Sequence, residues 1–398
     1  MHHLVRTITF VVASVALAAT AAIAWAAPPP KNLRVANPTD ISGCAENATY
    51  HTIQSAVNAA VSGDHIMICP GTYPEHVVVP AGKDNLNIQG MNTSNTFVQF
   101  PPTPPTSGPD AIFLINGAKN TEIHHLTVRG PWSDDETGGC AQPTHYGIYV
   151  EGGGSAHIHN DVITKIQDLN QAGLGGCQDG LAVRIGSFFA GQIGSGQIDN
   201  NVISDYQKNG VTIDGTGTTA EVNNNTIIGD SVDPNGVNPH IARNGVQFGR
   251  DAAGDVNNNT IVDNAYVGAF EDDPAGNEAA GILAFEVTGG VQINNNTLTA
   301  NDYGLDLGVG TANEDGSPLT VTTGVLFNNN QATDNRFDGF RAENDAQQNT
   351  LRNNKASGTS PGHDCRDAST GSGTAGTANT WQHDRGQTSN PVGICQAK

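Results

Sequence analysis

The chain has 398 residues, with 39 Asp and Glu against 18 Lys and Arg, a formal net charge of −21. An acidic surface of that size argues against nucleic acid and anionic membrane as partners, and against a polyanionic ligand unless cations intervene.

Residues 1–26 read as a secretory signal peptide: Arg6 precedes an apolar run from Ile8 to Ile23, and Ala24-Trp25-Ala26 supplies the small residues a signal peptidase needs. No later run is apolar over a membrane-spanning length, so the product is expected to be secreted, soluble and monomeric. Residues 27–50 form a Pro-rich leader into an N-terminal cap. The spacing Ile53, Ala56, Val57, Ala60, Val61 then predicts a capping helix near 52–62, with Thr52 as N-cap and Gly63 as stop. Strands are expected at Ile66 to Cys69, His76 to Val79 and Leu86 to Ile88, followed by a Pro-rich excursion from Pro101 to Pro109.

One unit then recurs. Asn223-Asn224-Asn225-Thr226-Ile227 returns as Asn257-Asn258-Asn259-Thr260-Ile261 and Asn294-Asn295-Asn296-Thr297-Leu298, with looser copies such as His159-Asn160-Asp161-Val162-Ile163. Each is followed by a Gly and then alternating apolar residues, as in Tyr146-Gly147-Ile148, Asp179-Gly180-Leu181, Asn209-Gly210-Val211 and Asn244-Gly245-Val246. The shortest repeat, Ile198 to Val222, spans 24 residues, too few for a helix pair and right for three short strands with turns. The central Asn of each triplet suits a left-handed turn and is expected to hydrogen-bond to its copies in neighbouring coils. The reading is an all-β, single-stranded right-handed parallel β-helix over residues 51–356, with coils about 4.8 Å apart. Residues 357–398, rich in Gly, Ser and Thr, are expected to form an irregular C-terminal cap anchored by Trp381 and Cys395.

Six Cys in an exported chain suggest disulfides, and the repeat register pairs Cys140 with Cys177, Cys44 with Cys69 and Cys365 with Cys395.

With these features the chain resembles the pectin-lyase-like superfamily, more narrowly the secreted bacterial proteins with parallel β-helix repeats. Its opening is similar too: Thr52-Ile53-Gln54, Gly63-Asp64 and Pro70-Gly71-Thr72-Tyr73. The resemblance implies a polysaccharide partner and a cleft along the Gly-led strands. The segments that mark polygalacturonases and mannuronan epimerases are absent.

Alternation along the Gly-led strands places Ile148, Val150, Leu181 and Val183 inward, and Tyr149, Ala182, Thr212, Gln247, Asp306 and Arg341 in one outward stripe. Glu151, Arg184 and Asp214 fall in a second stripe, as a vertical column. Two chemistries suit that column. In a lyase, Arg184 removes a proton α to a uronate carboxylate while Glu151, Asp214 and Asp179 hold a Ca²⁺. In an inverting hydrolase, Glu151 and Asp214 are the acid and base. Tyr149, Asp179, Gln247, Asp306 and Arg341 would line the substrate. The alternatives are a non-catalytic glycan-binding or scaffold protein and a purely structural ion-pair ladder. On the strands before the Asn turn, His124, His157, His159 and Asp199 form a candidate Zn²⁺ or Cu²⁺ set, and His125 is expected to cap the Asn stack.

Overall fold

The computed structural model describes residues 29–37, 43–103, 105, 107–132, 144–167, 179–229, 243–265, 279–309 and 320–397. A single coil shows its construction. Thr219–Asn223 lies in a first sheet, Thr226–Ile228 in a second and Asn244–Gly249 in a third; Ala253–Asn257 then re-enters the first sheet beside Thr219–Asn223. Among the described residues, repetition yields parallel sheets of 12, 10 and 11 strands, and the chain is a right-handed parallel β-helix. Strands this short bury little alone, so each draws its stability from the coils on either side. Aliphatic side chains stack in register, as in the column Ile123, Ile158, Ile198, Val222, Val256 and Ile293, all fully buried. Each contributes roughly 1.5–3 kcal/mol of burial.

The Asn triplet divides its labour differently from the sequence expectation. The central residue adopts the left-handed conformation, with φ of 57° at Asn224, 58° at Asn258 and 59° at Asn295. The buried hydrogen-bond ladder belongs to the residue after it. Asn225 donates its main-chain N–H and its Nδ2 to Asn259 Oδ1 at 2.8 and 3.0 Å, and Asn259 repeats this toward Asn296 at 2.9 and 3.0 Å. The left-handed residue swings the next side chain inward, where its amide satisfies buried groups of two coils at once. The ladder starts at Asp161, which accepts from Leu126 N–H, and ends at Asp384, which accepts from Asn354. His125 takes the left-handed position, φ 59°, and does not cap the stack. A second ladder, Asn264 to Asn301 to Asn335, runs along the next corner by the same rule.

The recurrent glycine is a steric requirement. A β-carbon on Gly147, Gly210, Gly245, Gly281, Gly304 or Gly339 would stand 2.4–2.8 Å from a carbonyl oxygen of the next coil. In one coil Ala182 takes this place: Tyr146 pairs with Leu181 and Ile148 with Val183, so Ala182, not Gly180, lies level with Gly147. The register is therefore two residues from the one expected. The facing of every side chain survives such a shift, but its vertical neighbours change.

The ends are closed by pieces the sequence placed in part. The helix Ile53–Ala59 buries Ile53, Ala56 and Val57 against the first coil; Thr52 accepts from Ser55 N–H, and Glu75 accepts the free N–H groups of Ile53 and Gln54 at 2.9 and 3.0 Å. Asn32–Val35, within the expected leader, is a strand of the first sheet paired with His65–Ile68, because Leu33 and Val35 supply its apolar alternation. At the other end His363–Asp367 and Thr380–Gln382 extend the third and first sheets, so stacking continues beyond residue 356. Cys44–Cys69 and Cys365–Cys395 are disulfides, and no helix among the described residues is long and apolar enough to cross a membrane. Cys140 and Cys177, like residues 1–28, lie outside the described residues.

Two outcomes are expected. Asn259→Ala orphans both donors of Asn225 and lowers the urea midpoint by the equivalent of about 3 kcal/mol, whereas Asn258→Ala, which only strains one left-handed residue, costs about 1 kcal/mol; equal losses would contradict the division of roles. Burial raises the Asp384 carboxyl from 3.8 to about 6. The folded state therefore binds the proton more tightly, and this contribution is lost as pH climbs from about 4 to about 6. Asp384→Asn should reduce the stability difference between pH 4.5 and 7.5 by about 2 kcal/mol, measured as paired urea titrations.

Candidate functional site

On the third sheet the true register separates the expected column. Arg184 lies between Tyr149 and Thr212, while Glu151 and Asp214 share a different column with Gly186 between them. Arg184 still reaches Asp214 diagonally: its guanidinium donates to Asp214 Oδ2 at 2.9 Å, to Ser187 Oγ at 2.9 Å and, through Nε, to Gly186 O at 2.9 Å. Asp214 Oδ2 also accepts from Phe188 N–H at 3.0 Å, and its Oδ1 takes Arg250 Nη1 at 3.0 Å. Arg250 continues toward Glu286 at 3.8 Å. Both oxygens of Asp214 thus face guanidiniums, and a Ca²⁺ held by Glu151, Asp179 and Asp214 does not fit that arrangement. Glu151 is buried beside Tyr149, and burial outweighs their hydrogen bond and raises its carboxyl. Burial likewise raises the Tyr149 hydroxyl, against the opposing pull of Arg184. Asp179 is buried ahead of the strand Leu181–Ile185. Gln247 Oε1 accepts from Asn209 and Asn244, both at 3.0 Å, and Asp306 and Arg341 are register partners 4.0 Å apart further along.

The Arg184–Asp214–Arg250 network supports a feature absent from the sequence reading. Immediately after Gly186 the chain makes a tight turn closed by reciprocal hydrogen bonds between Ser187 and Gln192, at 2.8 and 2.9 Å. This turn presents Phe188 and Phe189, 52% and 79% exposed, on the corner between the third and first sheets. Arg184 grips it through Ser187, Asp214 through Phe188 N–H, and Arg250 lies 4.4 Å from the centre of the Phe189 ring. Gln192 Oε1 accepts from Gly152 N–H at 3.1 Å, tying the turn to the preceding coil. The sequence signal was two adjacent aromatics outside the alternating pattern.

From that corner the strand Gly194–Asp199 enters an open groove of about 500 Å³ along the first sheet. The main chain at Ala156, Gly196 and Ala220, whose side-chain positions face the core, forms its floor, and Ser155, Ser195, Gln197, Glu221 and Asp255 line it. Glu221 and Asp255 are register neighbours, two carboxylates one coil apart. At the groove's N-terminal end stand Glu122 and His157. His124 and His159 stack at 4.6 Å and 9°, and a donor atom from each lies within 4.8 Å of one from Glu122. Of the expected metal set, His157 and Asp199 are instead paired with each other at 3.0 Å, and the carboxylate beside the imidazoles is Glu122. Burial, then the neighbouring imidazoles, push His124 down to about 4.

Residues 110–314 match the family described as right handed beta helix region, which takes in just over half of the chain, and the protein belongs to that family. Solved structures of similar fold include an alginate lyase from Paenibacillus sp. str. FPU-7, 16% identical over 75% of this chain and 95% of that one, TM-score 0.42. Pectin methylesterase PemA from Erwinia chrysanthemi is 14% identical over 87% and 92%, TM-score 0.44. The A-module of a mannuronan C-5 epimerase from Azotobacter vinelandii is 14% identical over 84% and 93%, TM-score 0.38. At these identities the likeness is one of fold. No curated protein matches the sequence.

If the ion network is a pedestal, Asp214→Asn should free the turn without unfolding the rod. Limited proteolysis is expected to cut near Phe188 and Phe189 at least tenfold faster than in the native chain while the thermal midpoint falls by only a few degrees; unchanged cleavage would deny the network that role.

Proposed function

We propose that the protein is an exported polysaccharide-binding β-helix whose binding face is the first-sheet groove together with the Phe188–Phe189 corner. The exposed aromatic pair carries this reading. Two Phe rings on a hydrogen-bonded turn, clamped by three charged side chains, are held ready to stack on sugar rings without an ordering cost on binding. The groove beyond supplies hydroxyl, amide and carboxylate groups at the coil spacing, suited to a chain of repeating hydroxyls. Glu221 beside Asp255 and the net charge of −21 favour a neutral or amine-bearing glycan over a uronate polymer.

β-Elimination by Arg184 fits less well, because its guanidinium is committed to Asp214, Ser187 and Gly186. A second reading, acid-assisted cleavage, has one observation in its favour: Glu151, its carboxyl raised by burial beside Tyr149, has the environment of a proton donor.

The test is a panel of neutral, amine-bearing and uronate polysaccharides in affinity electrophoresis, followed by reducing-end and 232 nm assays of the incubated polymers. Retardation by a neutral or amine-bearing polymer is expected, weakened about tenfold, or about 1.4 kcal/mol, in Phe189→Ala. Retardation only by uronates, or binding indifferent to Phe189, would reject the assignment. New reducing ends that vanish in Glu151→Gln would establish the cleaving reading in addition, and an unsaturated chromophore would restore elimination.

A further inference from the structure

We infer that Glu122, His124 and His159 form a binding site for a divalent transition ion of the zinc or copper class, at the N-terminal end of the first-sheet groove. The fold brings them together. His124 and His159 are register partners on adjacent coils, and Glu122 projects from the same face of the same strand as His124, two residues earlier. Side chains on stacked strands have few ways to move apart, so the three donors are held as a set.

The distances suit an ion. One donor atom from each residue falls within a 4.8 Å triangle, whereas donors around a tetrahedral zinc at 2.0–2.1 Å stand about 3.3 Å apart. Side-chain rotations of about 1 Å close that gap without moving the backbone. Two imidazoles and one carboxylate are the donor types borderline metals prefer, and neither Ca²⁺ nor Mg²⁺ selects them.

The surroundings are organised in the manner of an outer ligand shell. Asn87, one coil earlier, accepts at Oδ1 from His124 Nε2 across 3.1 Å and donates through Nδ2 to Glu122. His124 Nδ1 lies 2.7 Å from His125 Nδ1, and His159 Nδ1 accepts from Asn160 Nδ2 at 2.8 Å. These contacts fix the ring orientations; an ion would replace one contact of His124 and leave the other as its support. Glu122 also lines the groove, so a three-residue set leaves the remaining coordination position directed at whatever the groove contains.

This inference stands apart from glycan binding and is tested without a glycan. The full chain, prepared without a polyhistidine tag, is titrated with Zn²⁺ by calorimetry and with Co²⁺ in visible absorption. One saturable ion per chain is expected, with the d–d bands of a four- or five-coordinate nitrogen and oxygen site. Glu122→Gln and His159→Ala should each weaken binding at least tenfold, and Asp199→Asn, which alters only the partner of His157, should change it less than threefold. Absence of saturable binding to the native chain overturns the site. So does an affinity unchanged in both ligand variants, or one lost equally in Asp199→Asn. Because Glu122 and His159 are only partly buried, their variants are expected to keep the native thermal midpoint, and the Co²⁺ spectrum of the native chain reports ligand type independently of either.

Discussion

Everything in this molecule depends on one carboxamide placed where two coils meet. A parallel stack leaves main-chain donors and acceptors at every corner, where the strands end and the ladder of the sheet cannot reach. Asn225, Asn259, Asn296 and Asn330 solve this in series: each Oδ1 accepts two bonds from the coil before it, and each Nδ2 bridges back to a carbonyl, as Asn259 does to Val222 O at 2.8 Å. No other side chain offers donor and acceptor at that reach without charge. Asp can take the place only at the ends, and there burial raises its carboxyl, as at Asp161 and Asp384.

The same close stacking sets the second constraint. With a carbonyl oxygen 2.4–2.8 Å from where a β-carbon would stand on Gly147, Gly210, Gly245, Gly281, Gly304 and Gly339, that level is kept small through the central coils, with Ala at position 182; Ile112 and Asp364 take it in the flanking coils. Register is thereby pinned at two corners, by an amide that must meet its copy and by a backbone that must pass close to the next. Side chains projecting outward between those corners inherit a fixed spacing, which is why short strands can hold donors and rings in place as firmly as a larger core.

These constraints also decide what could be read in advance. Period, strand alternation, the helix at Ile53 and two of the disulfides follow from residue type and spacing, because each is a local preference repeated many times. Which Asn of a triplet turns and which one pairs does not follow, since both conformations suit the same side chain. The two-residue shift at Gly180 escaped for a related reason: Gly180, with φ of 74°, serves the entering turn, while Ala182 holds the crowded level usually occupied by Gly. Aligning on glycine therefore set Arg184 in the wrong column while leaving its facing correct. Glu122 follows the outward alternation of its strand, but its place beside His124 and His159 depends on side-chain reach. Phe188 and Phe189 lay in a connection where periodicity carries no information.

Stacking also governs where charge can stand. Residues in one column are about 5 Å apart, so like charges repeated along it would repel through the length of the rod. The third sheet meets this with alternation or diagonal pairing: Arg184 with Asp214, Arg250 between Asp214 and Glu286, Asp306 against Arg341. The first sheet interposes His157 and Gln197 between Glu122 and Glu221, and then departs from the pattern by placing Asp255 next to Glu221. That departure lies in the open groove, where solvent screens it when the groove is empty and a hydroxyl or ammonium group can occupy it when the groove is filled. A rod that pairs these third-sheet charges with opposite ones and leaves two carboxylates adjacent here places negative potential in the groove, along the path the proposed ligand would follow from the aromatic corner.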